Sequence, residues 1–185
     1  MKKPIIAFFT IILLFPIQLL LAQSPVKIAV VGLTHSHVNW ILGREDIGDV
    51  EIVGIVEPNN ALAKRLMANH NLSEELLYPN MESLFAAVKP EAVTAFGSIY
   101  EHLEVVEACA PLGIHVMVEK PLAVSMDHAN KMASLARKHK IHLLTNYETT
   151  WYASNHELRK RLKEMTIGPV RRVIVNDGHE GPMEI

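Results

Sequence analysis

Residues 26–37 read VKIAVVGLTHSH, in which an apolar run rich in β-branched residues ends in a glycine turn. Such a run is typical of a buried parallel strand, here predicted at 26–31, and apolar residues at helical spacing follow it. The same alternation predicts further strands at 50–56, 92–96, 115–119 and 142–146, and helices at 38–44, 60–70, 81–88, 102–112 and 125–140. Because crossovers between parallel strands are right-handed, the expected fold is α/β, a Rossmann-like doubly wound parallel sheet.

The first residues of the chain have the layout of a secretory signal. Lys2 and Lys3 precede an uncharged stretch at 4–21, and cleavage is predicted after Ala22. We therefore expect an exported, periplasmic protein that has no stable membrane association once residues 1–22 are removed. The alternative is an uncleaved N-terminal membrane anchor, because the apolar stretch is about as long as the shortest membrane spans.

The pattern changes after residue 150. A charged helix is predicted at 155–165, and Gly168 and Pro169 separate it from a new strand at 170–175. We interpret 26–150 as one domain, and 151–185 as a linker helix followed by the first strand of an incomplete α+β second domain. Because a lone strand cannot bury its two faces, the sequence is expected to be a fragment of a longer protein.

Composition argues against several kinds of partner and site. The net charge is −2 and 6% of the residues are aromatic, so nothing suggests a surface for nucleic acid. Cys109 is the single cysteine, which excludes an internal disulfide, and its apolar helical surroundings predict a small core residue. A small-molecule or protein partner is therefore favoured.

The turn after the first strand is the expected ligand site, because open α/β sheets bind ligands at the carboxyl ends of their strands. A dinucleotide fingerprint would place glycines at 32, 34 and 37, and only Gly32 is present. Thr34 and His37 occupy the other two positions, on either side of His35 and Ser36. A helix N-terminus at this turn would still attract an anion, with the hydroxyls of Thr34 and Ser36 as further donors.

Glu57 ends the second strand, twenty residues beyond His37. A carboxylate at this position accepts the ribose hydroxyls of an adenosine and repels a 2′-phosphate. It therefore favours NAD over NADP as the bound nucleotide. The alternative is an ordinary surface carboxylate before Pro58.

A longer stretch carries a more specific signal. In the run 92–123, His102 follows Gly97 by five residues, and the segment GIHV at 113–116 leads into EKPLA at 119–123. This stretch resembles the Gfo/Idh/MocA family of oxidoreductases. The similarity extends from Val26 to the end of the chain, since GPV at 168–170 is similar to the family's entry into its second domain.

The resemblance implies a role for each residue near the Glu-Lys-Pro segment. Lys120 would help handle the proton of the oxidised hydroxyl, and the residues implied to lie beside the cofactor are Gly97, Ser98, His102, Glu119 and Asn146. Gly97 and Ser98 replace the family's usual Thr-Pro. The family's other acid/base residues, commonly an Asp and a His of the second domain, have no counterparts here, so the chain as it stands is expected to be inactive. The alternative for Glu119 and Lys120 is a solvated ion pair.

Side chains at the end of the domain suit a sugar. Asn146, Tyr147 and Glu148, with Trp151 and Tyr152 just beyond, combine amide, carboxylate and aromatic groups. The alternative is an interdomain packing cluster, and both interpretations remain open.

Three histidines raise the question of a metal site, since His35, His37 and His179 all fall in predicted loops. No carboxylate or cysteine completes an evident ligand spacing, and a lone loop histidine is usually a hydrogen-bonding residue. No metal is therefore predicted.

Together these features predict an exported, NAD-linked enzyme that acts on a sugar or polyol. Because the family includes glycosidases that oxidise and re-reduce the sugar, net hydrolysis is a sub-case. The rival hypothesis is a non-catalytic sugar-binding or scaffold protein that lost its cofactor, which the missing glycines favour. Assembly into a homo-oligomer through the second domain is left open.

Overall fold

The computed structural model describes residues 24–174. The signal sequence predicted at 1–22 and His179 lie outside these residues. The strands are β1 (Val26–Val31), β2 (Val50–Val56), β3 (Leu77–Tyr78), β4 (Ala92–Ala95), β5 (His115–Glu119) and β6 (Leu143–Asn146). The α-helices are α1 (Val38–Leu42), α2 (Asn60–Asn69), α3 (Met81–Ala87), α4 (His102–Cys109), α5 (Met126–His139) and α6 (Ala153–Lys163).

The six strands form one sheet in the order β3-β2-β1-β4-β5-β6, and every neighbouring pair is parallel. The chain builds outward from β1 through β2 to β3, then returns to β4 and builds outward the other way. The Rossmann-like doubly wound sheet is thus confirmed. Its switch point lies between β1 and β4, where a ligand crevice is expected at the carboxyl ends of the strands.

The hydrophobic core has two layers, one on each face of the sheet. Ala29 packs in one buried cluster and its neighbour Val30 in the other, because successive strand residues point to opposite faces. Helices α3, α4 and α5 cover the first face, while α1 and α2 cover the second. Cys109 is fully buried in the first cluster, as predicted, and burial raises the pKa of its thiol to about 12.

Local sequence signals account for the ends of several helices. The side chain of Ser125 accepts a hydrogen bond from the N–H of His128 and so caps the start of α5. Gly113 ends the 3-10 turn that follows α4 with a φ of 74°, a conformation that favours glycine.

Two features differ from the sequence-based expectation. β3 was not predicted, since two residues are too short to show a strand alternation. Residues 170–174 of the predicted strand 170–175 have no partner strand within 24–174, and Val175 lies outside the described residues.

None of the helices within residues 24–174 has the length and apolar character needed to cross a membrane.

Candidate functional site

The turn after β1 touches the segment after β4 backbone to backbone. Gly32 has a φ of 76°, and a Cβ added to it would lie 2.4 Å from the nitrogen of Gly97. The N–H of His35 also donates to the carbonyl of Phe96, at 2.9 Å. The first glycine of the fingerprint is therefore required here by the close approach of two chain segments at the switch point.

The turn was expected to present the free N–H groups of a helix N-terminus. This expectation is wrong for most of these N–H groups, which donate to acceptors within the protein. The N–H of His37 donates to Nδ1 of His35 at 3.2 Å, and the N–H of Val38 donates to the carbonyl of His35 at 3.1 Å. The tight turn before the five-residue α1 uses these donors itself. Among residues 33–38, only the N–H groups of Thr34 and Ser36 have no acceptor within the described part of the chain.

The hydroxyl groups of the same turn differ in their availability. Thr34 donates its hydroxyl to the carbonyl of Phe96 at 3.3 Å, so this donor is already occupied. Ser36 is exposed, and its hydroxyl has no partner within residues 24–174, while its carbonyl accepts the backbone N–H and the side-chain amide of Asn39. Of the two hydroxyls, that of Ser36 is therefore the one that stays open to a ligand.

Glu57 is buried at the end of β2, with 5% of its surface exposed. Its two carboxylate oxygens accept hydrogen bonds from the N–H groups of Leu33 and Asn59, both at 2.8 Å. The alternative of an ordinary surface carboxylate is therefore wrong. Glu57 links the turns that follow β1 and β2, while its contact with a ribose stays a prediction.

Glu119, at the end of β5, is 2% exposed. Its Oε1 accepts a hydrogen bond from the amide of Asn146 at 2.5 Å and lies 3.1 Å from Nδ1 of His37. Its Oε2 accepts the backbone N–H of Lys120 at 3.2 Å. The alternative of a solvated Glu119–Lys120 ion pair is wrong, because the carboxylate faces His37 and the exposed Lys120 side chain pairs with no carboxylate among residues 24–174.

The ring of His37 lies between two carboxylates. Its Nδ1 faces Glu119, and its Nε2 lies 3.4 Å from Oε2 of Glu148. The ring stacks on Trp40 with centroids 4.1 Å apart, and the His35 ring meets its edge at 4.4 Å. We call His35, His37, Glu119 and Glu148 the histidine–carboxylate cluster.

His35 has a lowered pKa in this cluster. Partial burial is the main cause that lowers the pKa of His35 below 6.5, and it outweighs the opposing attraction of Glu119. His35 is accordingly neutral at pH 7.

Trp40, which stacks on His37, was not predicted from the sequence, although its position one helical turn after His37 is a usable signal.

His102 begins α4 and is 1% exposed. Its Nδ1 donates to the carbonyl of Leu122 at 3.1 Å, and burial lowers its pKa below 6.5, so the ring is neutral and Nε2 is a hydrogen-bond acceptor. Within the described residues, Nε2 has no partner. His102 lines a cavity of 160 Å³ at the strand ends, together with Gly32, Pro58 and Gly97.

The predicted site residues thus form two neighbourhoods. Gly32, Gly97 and His102 surround the cavity, and Ser98 lies beside it, where its N–H donates to the Glu101 carboxylate at 2.6 Å. His35, His37 and Asn146 meet at Glu119, next to Lys120. Trp151 and Tyr152 are 74% and 52% exposed, which leaves both the sugar-cleft and the packing interpretation open.

Comparisons with known proteins agree with this architecture. Residues 26–147 match the Gfo/Idh/MocA family model, described as an oxidoreductase family with an NAD-binding Rossmann fold. Trans-1,2-dihydrobenzene-1,2-diol dehydrogenase of Xenopus tropicalis is 28% identical over 134 residues, which are 71% of this chain and 39% of that protein. D-glucoside 3-dehydrogenase of Escherichia coli is 23% identical over 154 residues, which are 81% of this chain and 42% of that protein.

A solved structure extends the comparison to three dimensions. One such structure is that of an oxidoreductase from Agrobacterium radiobacter in complex with NAD+, L-tartaric acid and magnesium. The two structures match with a TM-score of 0.70 and 21% sequence identity, and the match covers 79% of this chain and 42% of the Agrobacterium chain. At this identity the likeness shows the fold. The chain spans about two fifths of the length of the curated relatives, at 39% and 42%.

Proposed function

The chain belongs to the Gfo/Idh/MocA oxidoreductase family, and residues 26–147 are its NAD-binding Rossmann domain; on this premise we propose that the whole protein oxidises a hydroxyl group of a sugar or polyol with NAD. The observation that carries the proposal is the cavity at the switch point, whose lining includes His102, a residue whose buried Nε2 has no hydrogen-bond partner among residues 24–174. When bound, NAD supplies the acceptor for the hydride.

The residues around the cavity fit a nucleotide. Gly32 and Gly97 line the cavity next to β1 and β4, and a Cβ on either would collide with neighbouring atoms of the chain. Nε2 of His102 is buried and neutral, so a ligand N–H or O–H group would relieve the cost of its missing hydrogen bond. Adenosine carries such donors on its amino group and on its ribose. The lining therefore suits the adenosine half of NAD.

Glu57 supports NAD rather than NADP. Its carboxylate stands at the end of β2, directly before Pro58 of the cavity wall. Both oxygens are held by backbone N–H groups, and each keeps a second lone pair for a ribose hydroxyl. A 2′-phosphate would meet a buried negative charge there.

Lys120 is the proposed proton-handling residue. It directly follows β5, and Glu119 fixes its backbone by accepting its N–H. Because the exposed ammonium pairs with no carboxylate in residues 24–174, it is available to donate to a substrate hydroxyl and to help relay the departing proton. The partner acid or base, and any net glycoside hydrolysis, would depend on a second domain.

A sugar or polyol is the substrate class that the neighbouring groups support. The amide of Asn146 contacts Glu119, the residue before Lys120, and the carboxylate of Glu148 faces His37. Tyr147 and Trp151 expose aromatic faces after β6. Such groups bind the hydroxyls and the apolar faces of carbohydrates. Two curated relatives carry the names of a diol dehydrogenase and a glucoside dehydrogenase.

One observation favours a non-catalytic sugar-binding or scaffold protein. Most N–H groups of the β1–α1 turn are used within the turn, so the pyrophosphate would find few free donors. Melting temperatures of the nucleotide-free protein with NAD and with NADP separate the two functions, because a ligand that binds only the folded state raises the melting temperature. We expect NAD to raise it; no shift with either nucleotide would favour the non-catalytic function.

A further inference from the structure

We propose that His35, His37 and Glu119 form a binding site for one divalent transition-metal ion of the zinc class, in which Glu148 orients His37. The three residues come from two segments that are distant in the sequence, the turn after β1 and the end of β5. None of these residues lines the cavity assigned to the adenosine, but His35 and His37 lie in the turn that would face the pyrophosphate, so the metal site would border the nucleotide.

The spacing of the potential ligand atoms carries this inference. One nitrogen of each histidine and one carboxylate oxygen all lie within 4.8 Å of one another. With metal–ligand bonds of about 2.1 Å, the ligand atoms of a tetrahedral site lie roughly 3.4 Å apart. Nδ1 of His37 and Oε1 of Glu119 are already 3.1 Å apart. The nitrogen of His35, which lies within 4.8 Å of these two atoms, would have to move closer to them to complete the three-ligand set.

The surroundings of the three ligand residues resemble those found around metal sites in proteins. Nε2 of His37, the nitrogen that would not bind the ion, lies 3.4 Å from Oε2 of Glu148, a buried oxygen that accepts no hydrogen bond from residues 24–174 and is free to accept the N–H of a metal-bound His37. Metal-bound histidines usually donate this second N–H to a carboxylate, which fixes the tautomer and the ring orientation. Glu119 is in turn held by the amide of Asn146 and the N–H of Lys120.

The types of ligand indicate the class of metal. Two imidazoles and one carboxylate suit zinc and similar first-row ions, whereas magnesium and calcium prefer oxygen ligands alone. Three protein ligands also leave a coordination position open. Because His35 and His37 are only half-buried, water or a ligand hydroxyl can reach this position.

Two existing contacts would have to change: the ion would replace the proton between Nδ1 of His37 and Oε1 of Glu119, and it would also break a hydrogen bond of His35. Nδ1 of His35 accepts a 3.2 Å hydrogen bond from the N–H of His37. Binding of the ion through Nδ1 would exchange this long hydrogen bond for a metal–nitrogen bond. In return, the ion would neutralise the buried charge of Glu119, which is 2% exposed.

The test is a titration of the full chain without nucleotide. The protein is stripped with a chelator, freed of it, and titrated with Zn²⁺ against a coloured zinc indicator, and the bound metal is counted by mass spectrometry. We expect one zinc per chain. Glu148→Gln should weaken the affinity roughly 10- to 100-fold, the range for carboxylates that orient a ligand histidine, and His35→Ala and His37→Ala should weaken it further.

His156→Ala is the matched control, since His156 is exposed on α6 and should leave zinc binding unchanged. Circular dichroism without metal checks that each variant folds. Should a variant not fold, the wild-type protein is titrated with Co²⁺ instead. Binding of Co²⁺ by two imidazoles and a carboxylate gives visible absorption bands, and these bands should disappear when Zn²⁺ replaces the Co²⁺. Substoichiometric zinc in the wild type, or wild-type affinity in both folded His variants, would overturn the site. Since no NAD is present, neither result bears on nucleotide binding.

Discussion

His37 and Glu119 are 82 residues apart in the sequence, and their side chains lie 3.1 Å apart. The pair joins the turn after β1 to the end of β5 across the end of β4, which lies between these two strands. His37 occupies the position of the third fingerprint glycine. Because the chain departs from the fingerprint at this position, a histidine instead of a glycine lies next to the buried carboxylate of Glu119.

Gly32→Ala should destabilise the domain strongly. Its left-handed backbone costs an alanine about 1–2 kcal/mol, and the overlap of the new Cβ with Gly97 adds about 1–3 kcal/mol. Gly48→Ala is the control, because Gly48 has the same φ of 76° and nothing within 4 Å of its added Cβ. Urea unfolding of both variants measures the difference; equal losses would show that the contact with Gly97 is unimportant.

Glu57→Gln should reduce the preference for NAD over NADP. The amide keeps one oxygen to accept an N–H but loses the charge that opposes a 2′-phosphate. Melting-temperature shifts with each nucleotide, compared between variant and wild type, measure the change. Glu91→Gln is a suitable control, since Glu91 lies at the other end of the sheet, before β4. An unchanged preference would remove Glu57 from nucleotide selection.

Lys120→Met should affect turnover more than folding. In the full-length enzyme, the loss of a positioned acid or base is expected to lower kcat roughly a hundredfold or more. The free energy of unfolding should change by about 1 kcal/mol or less, because the side chain is exposed and unpaired within residues 24–174. Steady-state kinetics on an accepted polyol, with Lys138→Met as control, tests this. A kcat within about threefold of the parent would contradict the role.

His102 should make the domain less stable as the pH falls. Its folded-state pKa is lowered by burial, so below the ordinary value of 6.5 the unfolded chain binds a proton that the folded chain does not. The stability is therefore complete above pH 6.5 and decreases towards pH 5.5. In His102→Gln this component should vanish, while other groups still titrate. Unfolding midpoints at pH 7.5 and 5.5 compare the two proteins, and identical slopes would argue against a neutral His102.

Residues 1–22 should be absent from the mature exported protein. The short apolar stretch, with lysines before it and Ala22 at its end, suits cleavage by a signal peptidase. Intact-mass measurement of periplasmic material tests the cleavage. Recovery of Met1 in the membrane fraction would support the anchor instead.

Much of the fold could be predicted from local patterns. The predicted bounds of β1, β2 and β5 agree with the structure, because continuous β-branched runs mark buried parallel strands. The short β3 could not be found in this way. For the site, Glu57 and Glu119 were predicted as candidates, but their burial was not, since a carboxylate at a strand end is buried only if other segments fold over it.

The sequence by itself determined the alternation of strands and helices, because hydrophobic periodicity acts between residues that are near in the chain. It also determined the family, through the segments around Gly97 and Glu119. The contact of His37 with Glu119 and Glu148 was decided only by the tertiary structure. No spacing along the chain encodes it, because parallel pairing in a doubly wound sheet brings the carboxyl ends of β1, β5 and β6 to one edge, where three distant segments meet.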